Sequence, residues 1–304
     1  MRSEFIISIA VALVVVYVVL QMEHIKQSHE DLKCIKNTIK NRNRIVVSMT
    51  TSPKRIDKIY KVIEALEKQT IRPDLYFINL PIVFKRDGTR FSQIPSFLIS
   101  DRIHLNFCED LGPATKIVPT CKSEHITEDD IIFSVDDDIY YPPTIIQLYL
   151  KYHLKFPNFV LTGTSPFIIN GRRRYDLYEC ELLEGYSCVL YKKEFLEDIP
   201  LILFDKQLVP IYHYLSDDLV LSNFLLMKGI GILCFSREKS EIRRIKPLDY
   251  GLQADALHMG AGGLASTCDN DENCNFTNYF KTIKYMKTKN EYYLTTTESK
   301  LRHI

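Results

Sequence analysis

The stretch that decides the fold is Ile131–Asp138, in which the run IIFSV leads directly into three consecutive aspartates. The apolar run predicts a buried strand, and Pro142-Pro143 marks the end of the segment. Because side chains of an extended segment alternate between faces, we expect Asp136 and Asp138 to project together and Asp137 to point the other way. Carboxylates this close repel each other unless positive charge lies between them. The pattern therefore favours a divalent cation with phosphate oxygens over a plain acidic turn.

Outward from this stretch, short apolar runs alternate with helical patterns from Arg44 onward, which is typical of an α/β fold. Strands are predicted over residues 45–49, 75–80, 102–107, 131–135, 159–161, 186–191 and 230–235. Helices are predicted from Pro53, with Ser52 as the cap, over residues 143–156 and over residues 217–228. Ligands of open α/β sheets bind beyond the carboxyl ends of the strands. We therefore expect Thr50, Thr51 and Ser52 to face the same crevice as the aspartates.

Length and charge limit the classes of protein to consider. The chain has 304 residues, which suits one large domain with a sizeable core. Its formal net charge of +1 gives no basic footprint of the kind that nucleic-acid-binding proteins carry. We therefore expect no nucleic-acid partner.

The N-terminal segment differs in composition from the rest of the chain. After a short tail over residues 1–4, residues 5–22 are almost entirely apolar and predict a transmembrane anchor. A cleaved signal peptide is the alternative, but the small residues of a cleavage site are missing. Residues 23–43 form a polar stalk in which Ile25, Leu32, Ile35 and Ile39 recur at helical spacing. A solvated helical spacer is favoured, and a homodimer through this stripe is the alternative.

The side of the membrane on which the main domain lies is ambiguous from the sequence. Basic residues after the anchor outnumber those before it, which favours the cytosol. An even number of cysteines, eight, favours an oxidising lumen, as do Cys268 and Cys274 around a polar loop and a glycosylation sequon at Asn275. We expect a single-pass type II protein facing the Golgi or ER lumen, with the cytosolic orientation left open.

Several motifs follow one another along the main domain: Val47–Arg55, Leu111–Lys116, Asp136–Asp138, Glu184–Tyr186, Ser216–Asp218 and Asp255–Gly263. In this order they resemble the motifs of GT-A glycosyltransferases, in particular type II membrane enzymes that use nucleotide-sugar donors. The resemblance implies a Rossmann-like α/β domain over residues 44–285, with a mixed, mostly parallel sheet flanked by helices. Residues 286–304 are expected to be a C-terminal tail.

The resemblance implies a donor side of the site. Thr50, Thr51, Ser52 and Arg55 would hold the base and ribose of the donor. Lys116 would place a positive charge near it. The aspartates resemble the Asp-x-Asp motif of the family. Asp136 and Asp137 would then contact the donor.

The same resemblance implies a metal site and an acceptor side. Asp136 and Asp138 would bind Mn²⁺ or Mg²⁺, and His258 would complete the metal site. Gly185 and Tyr186 would line the sugar and acceptor pocket. Of the two acids at the start of the third predicted helix, Asp218 is favoured over Asp217 as the catalytic base.

The expected activity is metal-dependent transfer of a hexose from a UDP- or GDP-sugar to a hydroxyl of a glycan, glycoprotein or glycolipid, with inversion. Because the chain contains no Trp, its acceptor surface must use Tyr and Phe. A retaining enzyme of the same fold is the nearest alternative. A metal-dependent phosphohydrolase or nucleotidyltransferase would also use an acidic strand end. A membrane-tethered binding protein is the non-enzymatic alternative.

Overall fold

The computed structural model describes residues 2–39, 43–249 and 275–294, in two compact units divided between Arg42 and Asn43. The first unit contains one helix, α1 (Arg2–Ile39), over the predicted anchor and stalk. Within the described residues, no helix combines the length and hydropathy of a membrane span. The anchor predicted over residues 5–22 is therefore not confirmed.

The second unit is built on a nine-stranded sheet with the order β3-β2-β1-β4-β9-β6-β10-β8-β7. A separate two-stranded ladder pairs β5 with β11. The strands are β1 (Ile45–Thr50), β2 (Leu75–Pro81), β3 (Ile103–Cys108), β4 (Ile131–Ser134), β5 (Ile139–Tyr140), β6 (Val160–Thr162), β7 (Ile168–Arg174), β8 (Leu177–Cys180), β9 (Val189–Lys192), β10 (Ile232–Phe235) and β11 (Lys246–Pro247).

Helices flank this sheet. They are α2 (Tyr60–Glu67), α3 (Val118–Cys121), α4 (Ile145–His153), α5 (Lys193–Leu196), α6 (Ile211–Tyr214), α7 (Asp217–Met227), α8 (Ser240–Arg243) and α9 (Asn275–Thr288). Two 3₁₀ turns matter for the site, Gly112–Lys116 and Gly185–Ser187.

The sheet is mixed and mostly parallel in direction, as expected. Strands β1 to β4 run parallel, and β6 and β10 run parallel to each other. The strand β9 lies antiparallel between β4 and β6. This arrangement fits the GT-A-like α/β architecture that the resemblance implies.

The inner strands are apolar on both faces because the sheet is covered on both sides. Val46, Val47, Ile132 and Phe133 are fully buried. The helix α7 is buried along nearly its whole length, which explains why its sequence is apolar almost all round. Because β1 and β4 pair in parallel within this buried sheet, their carboxyl ends lie side by side.

Two predicted elements begin at least three residues later than the sequence suggests. The helix predicted from Pro53 begins at Tyr60, and Ser52 does not cap it. The Ser52 carbonyl instead accepts the N–H groups of Arg55 (3.0 Å) and Ile56 (3.1 Å), so residues 53–59 form successive turns. Similarly, the strand predicted over residues 186–191 begins at Val189. In both places, buried contacts to the site outweigh local preference.

Candidate active site

A cleft of about 620 Å³ opens where β1 and β4 end. Its walls include the turns after β1, the segment after β4 and the N-terminus of α7. Most of the predicted site residues line it: Thr50, Thr51, Ser52, Arg55, Lys116, Asp136, Asp137, Asp138, Tyr186, Asp217 and Asp218. Two acidic clusters that lie far apart in the sequence therefore share one cavity.

The three aspartates do not alternate as predicted. The strand β4 ends at Ser134, so the aspartates lie in the turn that leads to β5. Asp137 and Asp138 both bind Arg55, whereas Asp136 binds Lys116. All three aspartates line the cleft, so Asp137 does not point away from Asp136 and Asp138 as predicted, because strand periodicity does not extend beyond the last paired residue.

Arg55 lies between two of these carboxylates. Its Nη1 donates to Asp137 Oδ1 at 3.1 Å and to Asp138 Oδ2 at 2.8 Å. The three side chains are only 10–11% exposed. Thr51 Oγ1 donates to the other oxygen of Asp137 at 2.6 Å. Burial raises the pKa of Asp137 to about 6, although the positive charge of Arg55 opposes the shift.

Lys116 links the two acidic clusters. Its Nζ donates to Asp136 Oδ1 at 3.0 Å and lies 3.5 Å from Asp217 Oδ2. Burial alone would lower the pKa of Lys116, but the charges of Asp136, Asp217 and Asp218 raise it well above its ordinary value. A permanent ammonium ion therefore lies at the centre of the cleft.

Local geometry aims Lys116 into the cleft. Lys116 ends the 3₁₀ turn that starts at Gly112, whose φ of +66° suits glycine. The carbonyl of Lys116 accepts Ser48 Oγ from β1 at 2.5 Å. The backbone is thus tied to the central strand, and the side chain extends to the aspartates.

Gly185 supports the site from behind the cleft wall, whereas the sequence predicted that it lines the pocket. It is not among the residues lining the cleft. Its N–H donates to Asp218 Oδ1 at 3.1 Å. A Cβ atom at this position would lie 2.3 Å from Lys116 Nζ and 2.9 Å from Asp218 Oδ1. Only glycine therefore permits both Lys116 and Asp218 to occupy these positions.

Asp217 and Asp218 occupy the first turn of α7, where the helix dipole favours negative charge. Asp217 is 6% exposed, and its Oδ2 has no partner among the described residues other than the Lys116 ammonium group, which lies 3.5 Å away. Asp218 is partly exposed and lines the cleft. Burial raises the pKa of both carboxyls, and the charge of Asp217 contributes to the large rise at Asp218.

The structure adds two cleft residues that were not predicted as site residues. Glu184 Oε2 accepts Thr164 Oγ1 at 2.5 Å, and burial raises the pKa of Glu184. Tyr279 of α9 also lines the cleft. Thr282, one turn later, holds α9 in place by donating to the Tyr212 carbonyl at 3.1 Å. No motif pointed to Tyr279, but the apolar spacing of α9 would have revealed the helix.

The side chains of the described residues do not form the predicted metal site. None of their His, Cys, Asp or Glu side chains form a group of three arranged to hold a metal ion. The oxygens of the aspartates suit a hard cation, but Arg55 and Lys116 already engage them. His258 lies outside the described residues. As arranged, these residues do not present a site for Mn²⁺ or Mg²⁺.

The predicted disulfide and sequon lie at the edge of, or outside, the described residues. Cys108, Cys121, Cys180, Cys188 and Cys234 are free thiols. Cys268 and Cys274 lie outside the described residues. Asn275 of the predicted sequon is the first residue of α9.

No protein-family model matches the sequence, and no curated protein matches it significantly. Among solved structures, the chain is similar to S. aureus TarS, with a TM-score of 0.44 and 13% sequence identity. The match covers 80% of this chain and 43% of TarS, so the chain spans less than half the length of that protein.

Proposed function

We propose that the protein is a glycosyltransferase that moves a sugar from a nucleotide-sugar donor to a hydroxyl group of an acceptor. The observation that carries this proposal is the shared cleft, in which Lys116 joins the aspartates after β4 to the acids of α7. Such an arrangement supplies positive charge for a leaving group and a carboxylate for an incoming alcohol. The donor is a UDP- or GDP-sugar, and the acceptor is a glycan, glycoprotein or glycolipid.

The donor half of the cleft lies at the ends of β1 and β4. Thr50, Thr51 and Ser52 line this half, and because Thr50 and Thr51 already donate to the Asn79 carbonyl and to Asp137, their hydroxyl oxygens serve a nucleoside as hydrogen-bond acceptors. As the glycosidic bond breaks, negative charge develops on the departing diphosphate. Arg55 and Lys116 donate hydrogen bonds to the acids here, and positive charge at this place stabilises such a leaving group.

The acceptor half lies at the N-terminus of α7. Asp218 is held by the Gly185 N–H and is the more accessible of the two acids. Its raised pKa makes its ionised form a stronger base, which suits removal of the proton from an acceptor hydroxyl. Asp217 pairs with Lys116 and positions it. One direct displacement assisted by Asp218 inverts the anomeric centre.

A divalent cation, Mn²⁺ or Mg²⁺, remains part of the proposal because of the hard oxygen donors of the triplet. When bound, such an ion supplies further positive charge to the diphosphate. Binding it requires that Arg55 or Lys116 release the carboxylates that they hold.

A donor panel tests the proposed function. The full chain is incubated with UDP-, GDP- and CMP-sugars, with and without Mn²⁺, and free nucleotide is measured. We expect release of nucleoside diphosphate from one donor class and its loss in Asp218→Asn when an acceptor is present. Release of inorganic phosphate or pyrophosphate would instead indicate a phosphohydrolase or a nucleotidyltransferase. No turnover and no donor binding would contradict the proposal and favour a binding protein.

A further inference from the structure

The pairing of Arg55 with the aspartates disagrees with an open metal site. Arg55 Nη1 reaches both Asp137 and Asp138, at 3.1 and 2.8 Å, in a pocket where all three side chains are about nine-tenths buried. Thr51 holds the far oxygen of Asp137 at 2.6 Å. The guanidinium therefore lies where a cation shared by these two carboxylates would lie.

Electrostatics explains why the site is closed in this way. Two adjacent buried carboxylates without a counter-ion would repel each other strongly. Arg55 reduces that repulsion, and its planar guanidinium keeps its charge at any physiological pH. Lys116 does the same for Asp136, at 3.0 Å.

Arg55 lies in the turns of residues 53–59 and not in the regular helix α2, which begins at Tyr60. The backbone of Asp138 is held beside the β5–β11 ladder, because its carbonyl accepts the Leu248 N–H at 2.7 Å.

We infer that Arg55 is an internal counter-ion that competes with a divalent cation for Asp137 and Asp138, so that the cation binds only when the guanidinium moves away. The inference deepens the proposed function, because it concerns the carboxylates on the donor side of the cleft. If a divalent cation bound with a diphosphate, Asp137 and Asp138 would hold the ion and the ion would supply positive charge there, while the Arg55 guanidinium would face the phosphate oxygens, which it binds well.

Metal binding without turnover tests this competition. Binding of Mn²⁺ alone to the full chain is measured by calorimetry, for the wild type, Arg55→Gln and Arg55→Lys. Losing one nearby positive charge should tighten Mn²⁺ binding by Arg55→Gln by about tenfold or more. The Mn²⁺ affinity of Arg55→Lys should lie between those of the wild type and Arg55→Gln. Lys54→Gln is the matched control, because Lys54 lines the same cleft but pairs with Asp87.

Stability gives a second readout that does not depend on the first. Arg55→Gln should unfold at a lower temperature than the wild type without metal, and Mn²⁺ should raise its Tm more than that of the wild type. Adding Asp138→Asn to Arg55→Gln should abolish the gain in affinity. Equal or weaker Mn²⁺ binding by Arg55→Gln and by Arg55→Lys would overturn the inference. Turnover plays no part in these measurements, so the inference and the proposed function can fail separately.

Discussion

At the scale of single residues, Gly185 sets the distance between Lys116 and Asp218. The Gly185→Ala substitution puts a Cβ atom 2.3 Å from the ammonium group. We expect turnover of the donor to fall about 100-fold, because a displaced cation no longer faces the developing charge. The measurement is nucleotide release by Gly185→Ala, Lys116→Ala and the double variant.

The double variant separates this cause from general damage to the fold. If Gly185→Ala acts through Lys116, it should reduce turnover little further in the Lys116→Ala background. Fully additive losses would show that the methyl group acts elsewhere. Thermal unfolding of each variant checks that the fold persists.

Asp218 should govern the pH dependence of transfer. Its pKa is raised by burial and then by the charge of Asp217, so the base is protonated at low pH. We expect the rate to rise as pH rises, with a midpoint above the ordinary aspartate pKa of about 3.9. Asp218→Asn should lower the rate by about 10²- to 10⁴-fold and remove this limb of the profile. The same limb in the variant would assign it to another group.

Asp137 should make stability depend on pH. Its pKa is about 6 in the folded protein against 3.8 ordinarily, because of burial, with Arg55 and Thr51 opposing the rise and Asp138 and Asp136 adding to it. A raised folded pKa means that the folded state holds the proton more tightly. The stabilisation is therefore full below pH 4 and is lost as pH rises through 6, up to about 3 kcal/mol.

Urea unfolding at several pH values measures this effect. Asp137→Asn should remove most of the slope in the free energy of unfolding between pH 4 and 7. The control is Asp57→Asn, an exposed aspartate in the same turns. An unchanged slope in Asp137→Asn would contradict the assignment.

Among the secondary-structure elements, α9 contributes Tyr279 to the wall of the cleft. Three of its neighbours on the helix, Phe280, Ile283 and Met286, pack with Leu219 of α7. The ring position is therefore fixed by the same helix that carries Asp218. We expect Tyr279→Phe to raise the KM for acceptor several-fold, through loss of one hydroxyl hydrogen bond, and to leave donor hydrolysis unchanged.

The matched control on the same helix is Tyr285→Phe. Tyr285 packs against His213, at 5.2 Å between ring centroids, and does not line the cleft. It should leave both activities unchanged. If Tyr279→Phe leaves the KM for acceptor unchanged, α9 serves only the core.

Apolar patterning predicted the parallel half of the sheet well, because β1, β2 and β4 are buried on both faces. It did not predict the hairpin of β7 and β8, where the run IINGRRR is too polar to indicate a strand. The turns around Arg55 and Tyr186 were also missed, since their shape follows from buried contacts between distant residues. Local propensity contains no information about such contacts.

At the scale of the whole molecule, strand order brings the two acidic clusters together. The antiparallel β9 lies next to β4, so the 3₁₀ turn before β9 carries Gly185 to the aspartates. The helix α7 meets the same edge through Asp218. The motifs in the sequence indicated both acidic clusters, but only the tertiary structure shows that Lys116 lies between them. Membrane attachment and the roles of residues outside the described ranges stay predictions.

The anomeric configuration of the product shows whether transfer is one direct displacement with Asp218 as the base. The full chain is given its best donor and an acceptor, and the new anomeric proton is followed by NMR from the first minutes. We expect a product of inverted configuration, together with free nucleoside diphosphate, and no such product from Asp218→Asn. A product of retained configuration, or wild-type transfer by Asp218→Asn, would contradict it.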